Sequence, residues 1–340
     1  MLFNLSRIPL VRSTTPKVNV ERTRESVWAC TLFDSNFLVQ GLALIESVES
    51  NSTCNIYWTV LALDDLSYST LKSMSKSNMK VIHIDKFEDL ELQALKPTRA
   101  WKEFCWTSAA CLLNYCLSES PLGGRVAYID ADCYFFEDIY ELLTPLESGS
   151  EIAIHEHRFS RDRMSSLEKS GRFNVGLVAG LNKSEFKACV SRWRSQVLNR
   201  CDVNDVEGRC GDQTYLNEWP GLYKSLHVLE YPGAGLAPWN IKNYKVTIIN
   251  GTLKVDLKPI YFYHFSALEF IYFSKVFTIF VPAAGYLNMD RYEQVIYSRY
   301  MKHLMQISSA IRLRPRFQVN LKSNLKSLLK GAVAWQVGRP

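Results

Sequence analysis

Four short apolar runs, "VWACTLF" (27–33), "NIYWTVLAL" (55–63), "MKVIHID" (79–85) and "RVAYID" (125–130), alternate with segments of helical character. Leu38, Leu42, Ile45 and Val48 recur at helical spacing after the first run. "LSYSTLKSMSKS" reads as a helix with a polar face, and after Pro97 the stretch "WKEFCWTSAACLLNYCL" has the apolar density of a buried helix until "PLGG" breaks it. This β-α-β-α-β order predicts an α/β chain with a mostly parallel central sheet and helices on both faces. Ligands of such sheets sit outside the carboxyl ends of the strands. The fourth run ends in "IDAD", so Asp130 and Asp132 fall at that edge.

At 340 residues, 47% hydrophobic and 22% charged, the chain can fill one large α/β domain with appendages or two small ones. No stretch approaches the roughly 18 consecutive apolar residues of a bilayer span. "MLFNLSRIPLVRSTTPKVNV" is broken by Arg7 and Arg12 and lacks a small-residue cleavage site, so a cytoplasmic location is expected. The nine scattered cysteines contain no C-x-x-C pair and read as reduced, buried, small hydrophobes. The net charge of +6 is concentrated in residues 301–340, which carry eight basic residues and no acid. The rest is close to neutral, which argues against a nucleic-acid-binding globule.

In the second half, "EIAIHEH" (151–157) and "FNVGLVAG" (173–180) read as strands and "KSEFKACVSRWRSQVLNRC" as an amphipathic helix. "GDQTYLNEW" reads as a helix start with Asp212 as N-cap, and "KPIYFYHF" (258–265) as an aromatic strand ending at His264. Residues 1–25 are expected to be a mobile arm and residues 286–340 a basic, helical C-terminal extension.

Two carboxylates one residue apart in a turn after a strand can converge on a divalent cation, and hard oxygen ligands suit Mn²⁺ or Mg²⁺. The ordinary alternative is that Asp130 caps the turn and Asp132 is solvated. A haloacid-dehalogenase-type D-x-D-x-T nucleophile is a poorer fit, because Tyr134 stands at the Thr position and three strands precede the motif.

Six blocks in order carry a resemblance: "EFCWT" (103–107), "VAYIDADCYFF" (126–136), "FNVG" (173–176), "GDQTYLNEWP" (211–220), "YPGAGLAPWN" (231–240) and "YHFSAL" (263–268). Over about residues 27–268 the chain resembles the GT-A-fold, nucleotide-diphospho-sugar glycosyltransferases of bacterial polysaccharide clusters. It is more distantly similar to the retaining glycogenin and lipopolysaccharide galactosyltransferase family. The resemblance implies a Rossmann-like GT-A domain over 26–285, with a donor half to about 140 and an acceptor half from about 141. It also implies a nucleotide-diphosphate sugar donor, and a saccharide or lipid-linked acceptor.

By the same resemblance, Asp130, Asp132 and His264 would hold the metal. Thr31, Asp34, Arg99, Thr107, Asn174 and Gly176 would bind the donor together with Asp130. Asp212 and Gln213 would lie near the anomeric carbon, as the catalytic pair, and Trp239 and Asn240 would wall the acceptor side. His155 and His157 read as structural or acceptor-facing. The order of F-N-x-G, D-Q and late His leans toward a retaining reaction. The retaining relatives follow their late His with a Lys that contacts the diphosphate; here "HFSALEF" has Glu269 in that region and no Lys, leaving Arg99, Lys102 or Lys258 to meet the charge.

Leu321, Leu325, Leu328 and Leu329 form an apolar stripe flanked by Lys322, Lys326 and Lys330. A basic amphipathic helix within 312–335 that touches an anionic membrane is expected, placing the protein at the cytoplasmic face of the inner membrane. Two other functions fit the core: a non-catalytic nucleotide-sugar-binding or scaffold protein, and a sugar-nucleotide pyrophosphorylase. The latter needs a Gly-rich loop with an Arg after the first strand, which "TLFDSNFLVQG" lacks.

Overall fold

The computed structural model describes residues 25–203, 211–274, 277–281, 291–312 and 335–337. The expected N-terminal arm up to residue 24, Cys210 and the leucine–lysine stretch of the tail lie outside the described residues.

The four apolar runs form β1 (Ser26–Phe33), β2 (Asn55–Ala62), β3 (Met79–His83) and β4 (Arg125–Ile129), all parallel. After the short β5 (Cys133–Phe135) come β6 (Ile152–Glu156), β7 (Phe173–Leu181) and β8 (Leu226–Val228). The sheet has seven strands in the order β3-β2-β1-β4-β7-β6-β8, and β7 alone in it runs antiparallel. β4 and β7 are buried along their whole length, which is why they read as continuous apolar runs rather than alternating ones.

Each face of the sheet carries its own apolar layer. Ala127 and Ile129 point into the layer that holds the helix Leu38–Asn51, whereas Val126 and Tyr128 point into the one that holds the helices Trp101–Glu119 and Ser184–Asn199. This is the two-residue alternation of an extended chain made visible in one strand. The helix Asp65–Ser73 starts where Asp64 Oδ1 accepts the Ser67 amide at 2.8 Å, a side-chain cap that the sequence "LDDLS" supplies.

Three local expectations change. The third strand stops at His83, and Ile84–Phe87 forms a helical turn. Asp212 caps nothing with its side chain: Gly211 has φ +62°, Asp212 is already helical, and Gln213–Glu218 is a 3₁₀ helix. The aromatic run divides into Lys258–Pro259, an edge of a three-stranded meander, and Phe262–His264, which pairs with β5.

The helix Arg291–Ala310 belongs to the extension expected from residue 286, and it packs on the domain. Ile296, Tyr297, Tyr300, Met301, Leu304 and Ile307 are buried in the core layer shared with the helix Leu38–Asn51. Each such burial is worth about 2 kcal/mol, so the helix is held by its own apolar face. The eight described cysteines are all free. Among the described residues no helix is long and apolar enough to cross a membrane.

Candidate active site

β4 ends at Ile129, and the chain turns at once: the Cys133 amide bonds back to the Asp130 carbonyl at 3.0 Å. β5 then pairs antiparallel with Phe262–His264, in a register that sets His264 opposite Cys133. Stacked Phe135 and Phe262 rings, 5.1 Å apart, fix that register. A residue 132 positions downstream is thereby delivered beside the two acids. His264 Nε2 lies 3.0 Å from Asp132 Oδ1 and 3.8 Å from Asp130 Oδ2. Both carboxylates keep a solvent-facing side, at 30% exposure for Asp130 and 20% for Asp132, so a ligand can reach them.

Burial opposes the charge of His264, yet Asp132 and then Asp130 raise its pKa above the ordinary imidazole range. Asp132 is the mirror image: burial pushes it up, but the charge and hydrogen bond of His264 bring it below the usual carboxylate value. Asp130 is raised, by burial first, with Asp132 adding to the rise and His264 opposing it. The Tyr128 hydroxyl, two residues back on the same face of β4, donates to Asp130 Oδ1 at 2.8 Å.

Asp132, Cys133 and His264 offer ligand atoms within 4.8 Å of one another. Cys133 is a poor member of that set. It is fully buried, its thiol is pushed well up by burial and by the neighbouring acids, and it points at the Gly176 carbonyl. Asp130 is the better third donor, and two carboxylates with one imidazole suit Mn²⁺ or Mg²⁺.

β7 brings the next group. A bulge interrupts its pairing with β6, where Ile154 faces Val178 but His155 already faces Asn174. Asn174 Oδ1 accepts the Gly176 amide at 2.9 Å and lies 3.1 Å from His264 Nδ1. Its Nδ2 lies 3.0 Å from His157 Nε2 and 3.4 Å from Gln213 Oε1. Gly176 was expected to let backbone approach a ligand. Its position has a nearer reason: a Cβ there would stand 2.6 Å from Asn174 Oδ1 and 2.7 Å from His264 Nδ1.

Asp212 is buried, and its carboxyl is raised well above the usual range by burial first and by Asp130 next. Trp239 packs against both His157 and His264, with ring centroids at 5.4 and 5.3 Å, and donates its indole N–H to the His157 carbonyl. Asn240 is fully buried, and its carboxamide binds the His157 and Gly235 carbonyls and the Ala237 amide.

The remaining expected donor residues are Asp34, Thr31, Arg99 and Thr107. Asp34 follows β1, accepts the Asn36 amide and takes the Trp101 indole N–H at 3.2 Å. Thr31 is fully buried within β1. The Arg99 guanidinium is engaged by Thr107 Oγ1 and, at 2.7 Å, by the Leu198 carbonyl. Arg99 and the buried Thr107 thus brace the long helix against the helix Ser184–Asn199. Sequence reasoning gave no part to Tyr128. Its signal was there, since position 128 shares a strand face with position 130.

No family model matches the chain. The Bacillus subtilis (strain 168) protein YfnD, described as uncharacterized, is 33% identical over 243 residues, 71% of this chain and 78% of that one. YfnF of the same organism, also described as uncharacterized, is 27% identical over 255 residues, 73% of this chain and 83% of that one. Among solved structures, the galactosyltransferase LgtC in complex with donor and acceptor sugar analogs is similar with a TM-score of 0.52 at 11% identity. That match covers 82% of this chain and 95% of LgtC. The fold is GT-A, with a mostly parallel seven-stranded sheet flanked by helices.

Proposed function

We propose, for a chain that belongs to the same family as YfnD of Bacillus subtilis, that it is a metal-dependent glycosyltransferase. It moves a sugar from a nucleotide-diphosphate donor to a saccharide or lipid-linked saccharide acceptor during surface polysaccharide synthesis. The observation that carries this reading is the meeting of Asp130, Asp132 and His264 at the carboxyl end of β4. The donor and acceptor sugar analogs held by LgtC support it by analogy of fold.

Asp130, Asp132 and His264 would hold the ion, which when bound neutralises the diphosphate of the donor. Asn174 fixes the His264 ring, so that one imidazole nitrogen faces the acids. Asp212, whose carboxyl pKa burial raises, and Gln213 would lie near the anomeric carbon. The order of the F-N-x-G, D-Q and late-His motifs leans toward retention. Trp239 offers an apolar wall to the sugar side of the cleft.

Turnover of a panel of nucleotide sugars with Mn²⁺, with and without chelator, tests the reading. The wild type should consume at least one donor and lose this with Asp132→Asn; no turnover and no binding of any donor overturns it. Retention is tested by the anomeric configuration of the product.

The basic tail within 312–335 holds the enzyme at an anionic membrane surface on the cytoplasmic side. Because the packed helix runs to Ala310, the test is a chain truncated after Arg312. Equal membrane partitioning of the truncated and full chains would end that part of the proposal.

A further inference from the structure

We propose that the turn Val255–Lys258 is a second membrane contact of the enzyme, one that inserts Leu257 into the interface of an anionic bilayer. The inference rests on the membrane reading above and adds to it a contact in the folded domain.

The turn joins the strands Thr252–Val255 and Lys258–Pro259 of the meander through two residues, Asp256 and Leu257. Their φ angles are +46° and +66°, the conformation of a type I′ hairpin, which prefers Asn-Gly or Asp-Gly. Asp256 suits it, and its Oδ1 accepts the Lys245 amide at 2.8 Å. Leu257 stands where glycine belongs, and a bulky side chain at positive φ is strained. Packing does not compensate, because Leu257 is 73% exposed. An exposed leucine is ordinary by itself. One that is exposed and also held in a strained backbone does nothing for the fold, and such strain points to a ligand outside the chain.

The flanking charge identifies that ligand. Residues 242–258 carry four lysines and one acid, Asp256. Lys242 is paired with Asp162 at 3.3 Å, and Lys254 lies near Glu137. Lys245 and Lys258 border the turn, are exposed, and make no ion pair among the described residues. An aliphatic tip between two free ammonium groups is complementary to a surface with an apolar interior and anionic headgroups.

The place of the turn in the chain gives the contact a use. From Lys258 the chain passes through Tyr261, whose amide bonds to the Gly233 carbonyl at 2.9 Å, into the strand Phe262–His264. His264 follows Leu257 by seven positions, a reach of at most about 25 Å. Docking of the turn therefore holds the strand that carries His264 within that distance of the headgroups, where a lipid-linked acceptor presents its sugar.

Co-sedimentation of the full chain with vesicles of phosphatidylcholine and phosphatidylglycerol tests this, on the wild type, Leu257→Asn, Leu257→Gly and Leu257→Met. Asn and Gly both accept a positive φ, so those two variants should unfold at or above the wild-type temperature. Each should partition about tenfold more weakly than the wild type, the effect of withdrawing one leucine side chain from an apolar phase. Leu257→Met should stay within about twofold of the wild type. Replacing Lys245 and Lys258 together by Gln should weaken binding by about tenfold or more. Equal partitioning of the wild type and Leu257→Asn overturns the assignment and leaves the tail as the proposed contact. A dimer in analytical ultracentrifugation that Leu257→Asn splits would make the turn an interface between copies, and overturns it as well. If the wild type binds no vesicles, the membrane reading itself falls and this assignment falls with it.

Discussion

Asn174 Oδ1 accepts the backbone N–H of Gly176 at 2.9 Å and lies 3.1 Å from Nδ1 of His264. A backbone amide can only donate, so the Asn174 atom is the oxygen and His264 Nδ1 carries the proton. Once the ring gives up its second proton, the free lone pair is on Nε2, the nitrogen 3.0 Å from Asp132. The other end of the same carboxamide, Nδ2, donates to His157 Nε2 at 3.0 Å, so His157 carries its proton on Nδ1. One side chain sets the tautomer of both rings.

Removing that orientation should cost metal affinity without removing a ligand. Asn174→Ala is expected to weaken Mn²⁺ binding by about 10- to 100-fold, measured by titration calorimetry. His264→Asn should weaken it further. Mn²⁺ affinity of Asn174→Ala equal to the wild type would show that His264 needs no such partner.

Gly176 makes the contact possible. In Gly176→Ala the new methyl would press on Asn174 and His264 at distances that atoms do not tolerate, so one of them must move. The expected loss is about 1–3 kcal/mol in urea unfolding, accompanied by weaker Mn²⁺ binding. Gly221→Ala is the control: nothing lies within 4 Å of its Cβ, and its change should stay under about 0.5 kcal/mol.

Much of this was legible in the residues. β1 to β4 and the helices between them follow from apolar runs that alternate with helical periods, and the resemblance implied Asp130, Asp132 and His264 as one set, which the structure brings together. The role of Asn174 was not legible, because "FNVG" does not say that its strand bulges and aims the side chain at His264 rather than outward. Asp212 looked like a helix cap because Asp before a helical run usually is one; the positive φ of Gly211 changes the entry angle. The packing of Arg291–Ala310 was readable: Ile296, Tyr300, Leu304 and Ile307 recur at helical spacing, but the basic residues beyond them drew the segment into the tail.

Asn240 separates an acceptor residue from a scaffold residue. Its carboxamide holds three backbone groups and has no exposed surface. Asn240→Ala leaves the Gly235 carbonyl and the Ala237 amide without that partner, at about 1–3 kcal/mol each in the limit, while the His157 carbonyl keeps the Trp239 indole N–H. The expected result is a clear fall in thermal stability with the acceptor KM of the surviving enzyme unchanged. A raised acceptor KM at unchanged stability would place Asn240 in the acceptor site instead.

Acid should destabilise the fold through two histidines. Burial, the largest cause, lowers His155 well below its ordinary value of 6.5 and lowers His157 to about 3, with His264 adding to both effects and Arg158 to that on His155. Both are neutral in the folded protein and become charged once unfolded, so the unfolded state binds more protons below pH 6.5. Their contribution is therefore present above 6.5 and is lost as pH falls, at about 1.4 kcal/mol per pH unit for each ring. The raised pKa values of His264, Asp212 and Asp130 act in the opposite sense, because their folded forms hold protons that the unfolded forms release, so the two rings are read by difference and not from the net profile. Urea unfolding at pH 7.5 and pH 5.5, compared between the wild type and His157→Gln, isolates the contribution of one ring. Over that interval the wild type should lose about 1.4 kcal/mol more than His157→Gln, which keeps a polar partner for Asn174. The same pH dependence in both proteins would mean that His157 takes up a proton inside the fold, and that the polar cluster around Asn174 admits charge.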